Sequence, residues 1–414
     1  MISPKDLARL RSLAQEQAEI ANSEKMRLIV KSWEDNCLFR KSARPMVTIE
    51  LGTFEEEIIP PLMQCQGEEA RVLERRLLSN IVNHTLFDDD TIVKDYMPFY
   101  YSAPLTPFGL RVSVEHALSD ENSLGHHFME QISDLEEDFH KLKASVFSLT
   151  PKSETQRQID DYNELLGDIL PGKAEAFALV AVPTQDVVHI MGMENMFFAM
   201  YDYPELFHRM MDRLSDDYIA YFHALGQNGY LGATTSSQRV CQGSYCFTDK
   251  LPDKKTAYSS RDIWGYLDSQ ESSGLSPEMY AEFVFPYYRK IMNELGRVSY
   301  GCCEAVDPIW DNCISHVENL GKVSISPWCN EEAMGERLRG REVTYLRKPT
   351  PNLIGLTAQL DEDAVRAHFR KTVQAAKGCA LEIVQRDVYR IYNTPDKVRR
   401  YVELIRQECT HHQR

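Results

Sequence analysis

The sequence predicts an α/β fold made of βαβ units around a parallel sheet, and three observations carry that prediction. Short apolar runs alternate with helix-patterned segments through the C-terminal half, as expected of parallel strands joined by helical crossovers. The 414 residues suffice for an eight-stranded barrel plus an N-terminal segment, and 43% hydrophobic with 26% charged residues is ordinary globular composition. No internal repeat, low-complexity tract or Gly/Ser-rich linker interrupts the chain. The simplest partition is one barrel domain over 111–414, with 1–110 supplying a helical extension and the first barrel elements.

Each element has its own warrant. Ser3 precedes Pro4 as a cap before a proline at the first helical position, and Leu7, Leu10, Ala14 and Ala18 follow at helical spacing. Residues 44–51 read as a strand, and 68–83 place Leu73, Leu77, Leu78 and Ile81 at helical spacing. The stretch 96–108, with Pro98, Tyr100, Tyr101, Pro104 and Pro107, cannot be one regular element and is expected to be a loop shaping a pocket. Helical patterns over 135–146 and 156–166 lead to an apolar run at 178–182 suited to a buried strand. Pro204 opens a helix with Leu206, Met210 and Leu214 on one face. Residues 242–252 read as a loop with strand ambiguity. Ser276-Pro277-Glu278 starts a helix in which Met279, Phe283, Tyr287, Ile291 and Leu295 recur every fourth residue, and Gly296 ends it.

From Val298 a run of β-formers continues to the turn at Asp307-Pro308, which puts Cys302 and Cys303 near a strand's C-terminal end. Strands at 323–327, 343–346 and 380–384 are each followed by a helix, at 331–338, 361–376 and 394–405. In a closed barrel the C-terminal strand ends and the loops after them build the active site. Cys302 sits at such an end, whereas Cys379 stands at the start of its strand, just after Gly378.

Charge and hydropathy narrow the function. A net charge of -16 and the lack of any basic cluster argue against nucleic-acid binding, which needs Lys and Arg against phosphates. No apolar run approaches the length of a membrane span, and 1–40 is a charged amphipathic pattern rather than a signal peptide, so a cytoplasmic protein without membrane contact is expected. Ten cysteines without a small secreted framework suggest free thiols or a metal in a reducing compartment.

Two thiolates at adjoining strand ends are soft ligands that favour zinc, and a catalytic zinc takes three protein ligands with one open position. Composition alone favours two buried, unreactive cysteines, since free cysteine is among the most commonly buried residues. Sulfurs within roughly 4 Å of each other would mark a shared zinc.

The stretch 264–287, with Trp264-Gly-Tyr-Leu-Asp-Ser-Gln-Glu and the Ser276-Pro277 start, then Tyr300-Gly-Cys-Cys-Glu304, Ser324-Ile-Ser-Pro-Trp328 and Gly378-Cys-Ala-Leu-Glu-Ile-Val384, resembles the uroporphyrinogen decarboxylase superfamily. Within it the chain is similar to the zinc-dependent corrinoid methyltransferase branch, over roughly 170–408. The resemblance implies a (β/α)8 TIM barrel with an N-terminal helical extension. It also implies zinc held by a His-x-Cys pair on one strand and a distant Cys near the last, which Cys302 and Cys379 match. The position two before Cys302 is Tyr300, so the third ligand would come from Glu304, or from Glu271 or Cys303. The implied reaction moves a methyl group between a small methoxylated substrate or thiol and cobalamin on a partner corrinoid protein, with Cys302, Cys379 and Glu304 as the zinc-bearing catalytic set. The arginine-rich N-terminal segment of true porphyrinogen decarboxylases is missing, which disfavours that decarboxylation. A metal-free barrel that binds a small ligand is the other reading.

Trp264, Gln270, Tyr300, Trp328 and His127 form the expected substrate-binding set. The aromatics serve equally well as barrel packing, and His126-His127 as solvated or core histidines. Glu55 to Glu57 read as a solvated face, and Cys65, Cys241, Cys246, Cys313 and Cys329 as packing.

Overall fold

Seven short strands make one all-parallel sheet in the computed structural model, which describes residues 2–116, 126–410 and 412. They are β1 (Met46–Ile49), β2 (Leu179–Ala181), β3 (Trp264–Leu267), β4 (Arg297–Tyr300), β5 (Leu320–Ile325), β6 (Thr344–Arg347) and β7 (Leu381–Gln385). From β2 to β7 each strand lies beside its successor, and β7 then pairs with β1. That winding order is compatible with a barrel. Among the described residues no strand pairing joins β1 to β2, although Asp90 donates its N–H to the Val47 carbonyl at 2.8 Å along the free edge of β1.

What the sheet curls around is a two-stranded hairpin, Arg239–Cys241 with Ser244–Tyr245. Thr48 of β1 donates to the Gly243 carbonyl at 3.0 Å, and Cys241 Sγ lies 3.7 Å from Ser299 Oγ of β4. Lys322 of β5 donates to Ser244 Oγ at 2.8 Å, and Ser244 Oγ donates to Glu382 of β7 at 2.5 Å. One small hairpin can touch strands this far apart in the order only if the sheet is strongly bent. Gly243, with φ +67, permits the fit, since a Cβ there would come 2.5 Å from Thr48 Oγ1. The strand ambiguity of 242–252 thus has a physical origin: this is an antiparallel insert whose polar groups are satisfied by the strands around it.

Strands β1 and β3 to β7 are buried at nearly every residue, as parallel strands covered on both faces must be. Most predicted helices form: Pro4–Asn22, where Ser3 Oγ caps the Asp6 N–H at 3.1 Å, Glu68–Val82, Pro204–Gln227, Glu331–Leu338, Glu362–Ala375 and Pro395–Cys409. Two expectations are corrected. The helix read as continuous from Pro277 to Leu295 is two, Pro277–Phe283 and Phe285–Met292, because Pro286 has no N–H for the ladder across the break. The helix expected over 135–146 is one turn, Leu135–Asp138, followed by a 3-10 turn and the short strand Val146–Phe147. No helix among the described residues is long and apolar enough to cross a membrane.

Candidate active site at the C-terminal strand ends

The backbone turn after β4 aims the central side chain. Ser299 faces the hairpin inside the sheet, so Tyr300 faces outward, where its hydroxyl meets Tyr280 at 2.6 Å and Ser269 at 2.7 Å. Strict alternation would send Cys302 outward as well. Gly301 breaks it with φ +97, a conformation that L side chains rarely adopt, and Cys302 turns toward the residues that follow the other strands. Glu304 fixes this turn, accepting the N–H of Cys302 at 2.8 Å and that of Ser269 at 2.9 Å, which ties the loop after β4 to the loop after β3.

Three further strand ends converge on the Cys302 sulfur. Arg386, directly after β7, donates to it. Lys348, directly after β6, donates to the Gly301 carbonyl at 3.2 Å and to Gln242 at 3.3 Å. Tyr266 of β3 donates to Asp268 at 2.6 Å and is contacted by Gln242 at 3.3 Å. Cys303 completes the group, its sulfur 3.7 Å from that of Cys302 and 3.7 Å from Asp387.

Opposed electrostatic shifts result. The Cys302 thiol is drawn down to about 5, first by the hydrogen bond from Cys303 and then by the Lys348 and Arg386 cations, which together outweigh burial. The donated bond and burial push Cys303 up. Asp268 rises to about 7, through burial and then the negative charges of Glu304 and Cys302, and its Oδ1 is buried without a hydrogen-bond partner. Burial likewise raises Glu271, which accepts from Thr184 at 2.9 Å, and raises Asp186 to about 7 beside Tyr218. A thiolate, two cations and a carboxyl that titrates near neutrality can therefore bind a polar group and hold or release a proton.

Two cavities flank this cluster. One of about 490 Å³ is lined by Cys302, Cys303, Trp328, Lys348, Arg386 and Asp387, and one of about 820 Å³ by Glu50, Gln242, Lys94 and Tyr96 to Tyr100 among others. The wall between them runs from Cys302 through Arg386 to Glu50, which lies 3.4 Å from the Arg386 guanidinium. Of the segment 96–108, expected as a loop shaping a pocket, Tyr96 to Tyr100 line this one, and Met97–Phe99 there is a short strand paired with Gly172–Ala174.

The structure separates the residues singled out in the sequence. Cys302 and Glu304 are together, but both carboxylate oxygens of Glu304 are taken by backbone N–H groups. Cys379 lies at the opposite end of the sheet, before β7, with its sulfur 3.5 Å from the Gly335 carbonyl. More than the full length of β7, roughly 20 Å of extended chain, separates it from the Arg386 that touches Cys302. Among the described residues no group of three or more His, Cys, Asp and Glu side chains could hold a metal ion. Cys302, Cys379 and Glu304 do not form the convergent donor set that zinc requires. Trp264, first in β3, is buried and donates to the Cys246 carbonyl at 2.8 Å, so it packs inside the sheet, and Tyr300 packs outside it. Gln270 is half-buried beside Glu271, and Trp328 stands exposed at the mouth. His127 lies on the strand His126–Phe128, and its side chain is outside the described residues.

Asp268, Lys348 and Arg386 were missed, although each directly follows a strand. Asking what comes immediately after each apolar run would have found them.

No protein-family model matches the chain, and no curated protein matches it. Among solved structures the chain is similar to a methyltransferase from Methanosarcina mazei, with 12% identity and a TM-score of 0.51 over 92% of this chain and 98% of that one. At that identity the likeness shows a shared fold.

Proposed function

We propose that the chain is a methyltransferase on a (β/α)8 barrel, moving a methyl group between a small methoxylated substrate or thiol and the corrinoid of a partner protein docked over the mouth. The observation that carries this reading is the thiolate–cation–carboxyl cluster at the C-terminal strand ends, between two cavities, in a fold shared with a methyltransferase. The docked corrinoid would accept or supply the methyl group. Asp268 protonates a leaving oxygen, or takes the proton of an incoming thiol, which its position near 7 allows in either direction. Lys348 and Arg386 stabilise negative charge developing on that heteroatom. The Cys302 thiolate keeps Asp268 protonated by its charge and holds Arg386 in place. Apolar side chains on the loops after β5, β6 and β7, Trp328 at 77% exposure, Leu356 at 63% and Tyr389 at 52%, give a partner a surface to cover.

The test is single-turnover methyl transfer to a supplied corrinoid protein, read from the cobalt absorption spectrum. Asp268→Asn and Cys302→Ser should each slow it about a hundredfold or more while the melt shows a folded protein. Full rates in both variants would exclude this chemistry and leave a barrel that only binds a ligand.

A further inference from the structure

The larger cavity carries charges that the reaction scheme does not use. Four cations line it, Arg75, Arg76, Lys94 and Arg239. Arg75 is neutralised by Glu55 at 3.0 Å and Glu56 at 2.7 Å, and Lys94 by Glu175. The other two are not. Among the described residues no carboxylate comes within ion-pair distance of Arg76 or Arg239. Arg76 donates to the Pro98 carbonyl at 2.9 Å and stacks 4.7 Å from the Phe99 ring centroid, and burial lowers its hold on the proton. Arg239 projects from the hairpin, exposed to the cavity, with the Tyr245 hydroxyl beside it. The half-buried Arg76 without a counter-ion is costly to keep, Arg239 faces the same space unpaired, and a planar oxyanion is the natural partner of both.

We propose that this cavity binds a small aromatic oxyanion, a carboxylate or a sulfonate, through Arg239 and Arg76. The walls include Tyr96, Phe99, Tyr100 and Tyr245, which suit a flat ring. Glu50 and Gln242 line the same cavity and also reach the cluster: Glu50 is next to Arg386, and Gln242 contacts Lys348 and Tyr266. A second anionic group at that end would meet the Glu50 carboxylate. The ligand is therefore singly anionic, with its neutral end toward Cys302 and Asp268. Only the naming of that neutral end as the methyl-bearing one rests on the proposed methyl transfer; anion binding stands without it.

The experiment is calorimetric titration of the full chain with benzoate, benzenesulfonate, benzamide and phthalate, which needs no corrinoid and no turnover. Benzoate or benzenesulfonate should bind about tenfold or more tighter than neutral benzamide, and phthalate more weakly than benzoate. Whichever of the two binds more tightly identifies the oxyanion. Arg239→Gln should erase the preference over benzamide, while Arg239→Lys keeps part of it. If Arg239→Gln fails to melt cooperatively, Arg76→Gln and Arg239→Lys decide by the same ratio. Equal affinity for benzoate and benzamide, no binding of either anion, or an undiminished preference in the arginine variants would overturn the proposal. Failed methyl transfer with the preference intact would count against the reaction and not against this site.

Discussion

Two buried cysteines beside cations, one inside the sheet and one at its mouth, behave in opposite ways. Cys37 lies 3.5 Å from the Lys322 ammonium, yet its thiol is pushed up to about 12, because burial dominates and that lysine is already matched by Glu382 at 2.6 Å. Cys302 is drawn down to about 5. Inside the sheet Lys322, Glu382 and Ser244 satisfy one another. At the mouth Asp268 Oδ1 is buried without a hydrogen-bond partner, and Glu50 and Arg386 face each other only at a long 3.4 Å. Buried polar atoms are usually paired, and an unpaired carboxyl oxygen beside a thiolate and two cations marks the mouth as the end with chemistry left to do.

The largest effect should come from opening the closed side. Glu382→Ala strands Lys322 in the interior and should cost about 3–5 kcal/mol of unfolding free energy by denaturant titration. The Cys302 thiolate should be untouched in whatever protein remains folded. A loss below about 1 kcal/mol would mean that the interior is wetter than its burial implies, and the contrast with the mouth would weaken.

Proton linkage sharpens the comparison next. Cys302 falls from the ordinary 9.0 to about 5 on folding, so the stability it contributes is full above 9.0 and is lost as pH drops toward 5. Asp268 rises from 3.8 to about 7, so its contribution is full below 3.8 and is lost as pH climbs through 7. The stability advantage of wild type over Cys302→Ser should therefore shrink on acidification from pH 9 to pH 5. Asp268→Asn should gain on wild type as pH rises from 3.8 to about 7 and hold that gain above it. Parallel pH curves for wild type and both variants would show that neither group is perturbed.

Gly301→Ala ranks third. The left-handed backbone at φ +97 and a Cβ set 3.1 Å from that of Ser324 should cost about 1–3 kcal/mol, and re-aiming Cys302 should raise its apparent thiol pKa, read from thiolate absorbance against pH. An unchanged titration would mean that Glu304 alone holds the turn.

Much of this architecture was legible in sequence. Strand and helix periods placed β4 to β7 and the helices after β5, β6 and β7 to within a few residues, because short β-branched and apolar runs between polar helices have few other ways to fold, while the turn read at Asp307-Pro308 is a short helix, Asp307–Trp310. The site was only half legible. Cys302 came from its place at a strand end, but its facing could not be read, because Gly301 breaks the strand's alternation at that step. Reading Cys379 as a partner treated nearness in strand order as nearness in space, although parallel strands put one strand's beginning a full sheet-height from another's end. Arg239 was missed and the hairpin showed only as strand ambiguity over 242–252 for another reason: an insert held by hydrogen bonds to surrounding strands has no periodicity of its own.

The smallest expected effect is the one that most directly tests the division between the two ends. Cys379 is fully buried near the Gly335 carbonyl, far along β7 from Arg386. Cys379→Ser exchanges a weak donor for a stronger one in the same place, so stability should change by no more than about 1 kcal/mol, and the pH titration of the Cys302 thiolate should be superimposable on that of wild type. Methyl transfer should survive as well, in contrast to Cys302→Ser. If instead both serine variants abolish transfer in folded protein, and both lower the metal content of the purified chain, the two sulfurs must meet on one ion in the working enzyme. The sheet would then have to rearrange by many ångströms to bring them together. Intact transfer in Cys379→Ser alone would leave the chemistry entirely at the mouth, where the cations and the unmet carboxyl already are.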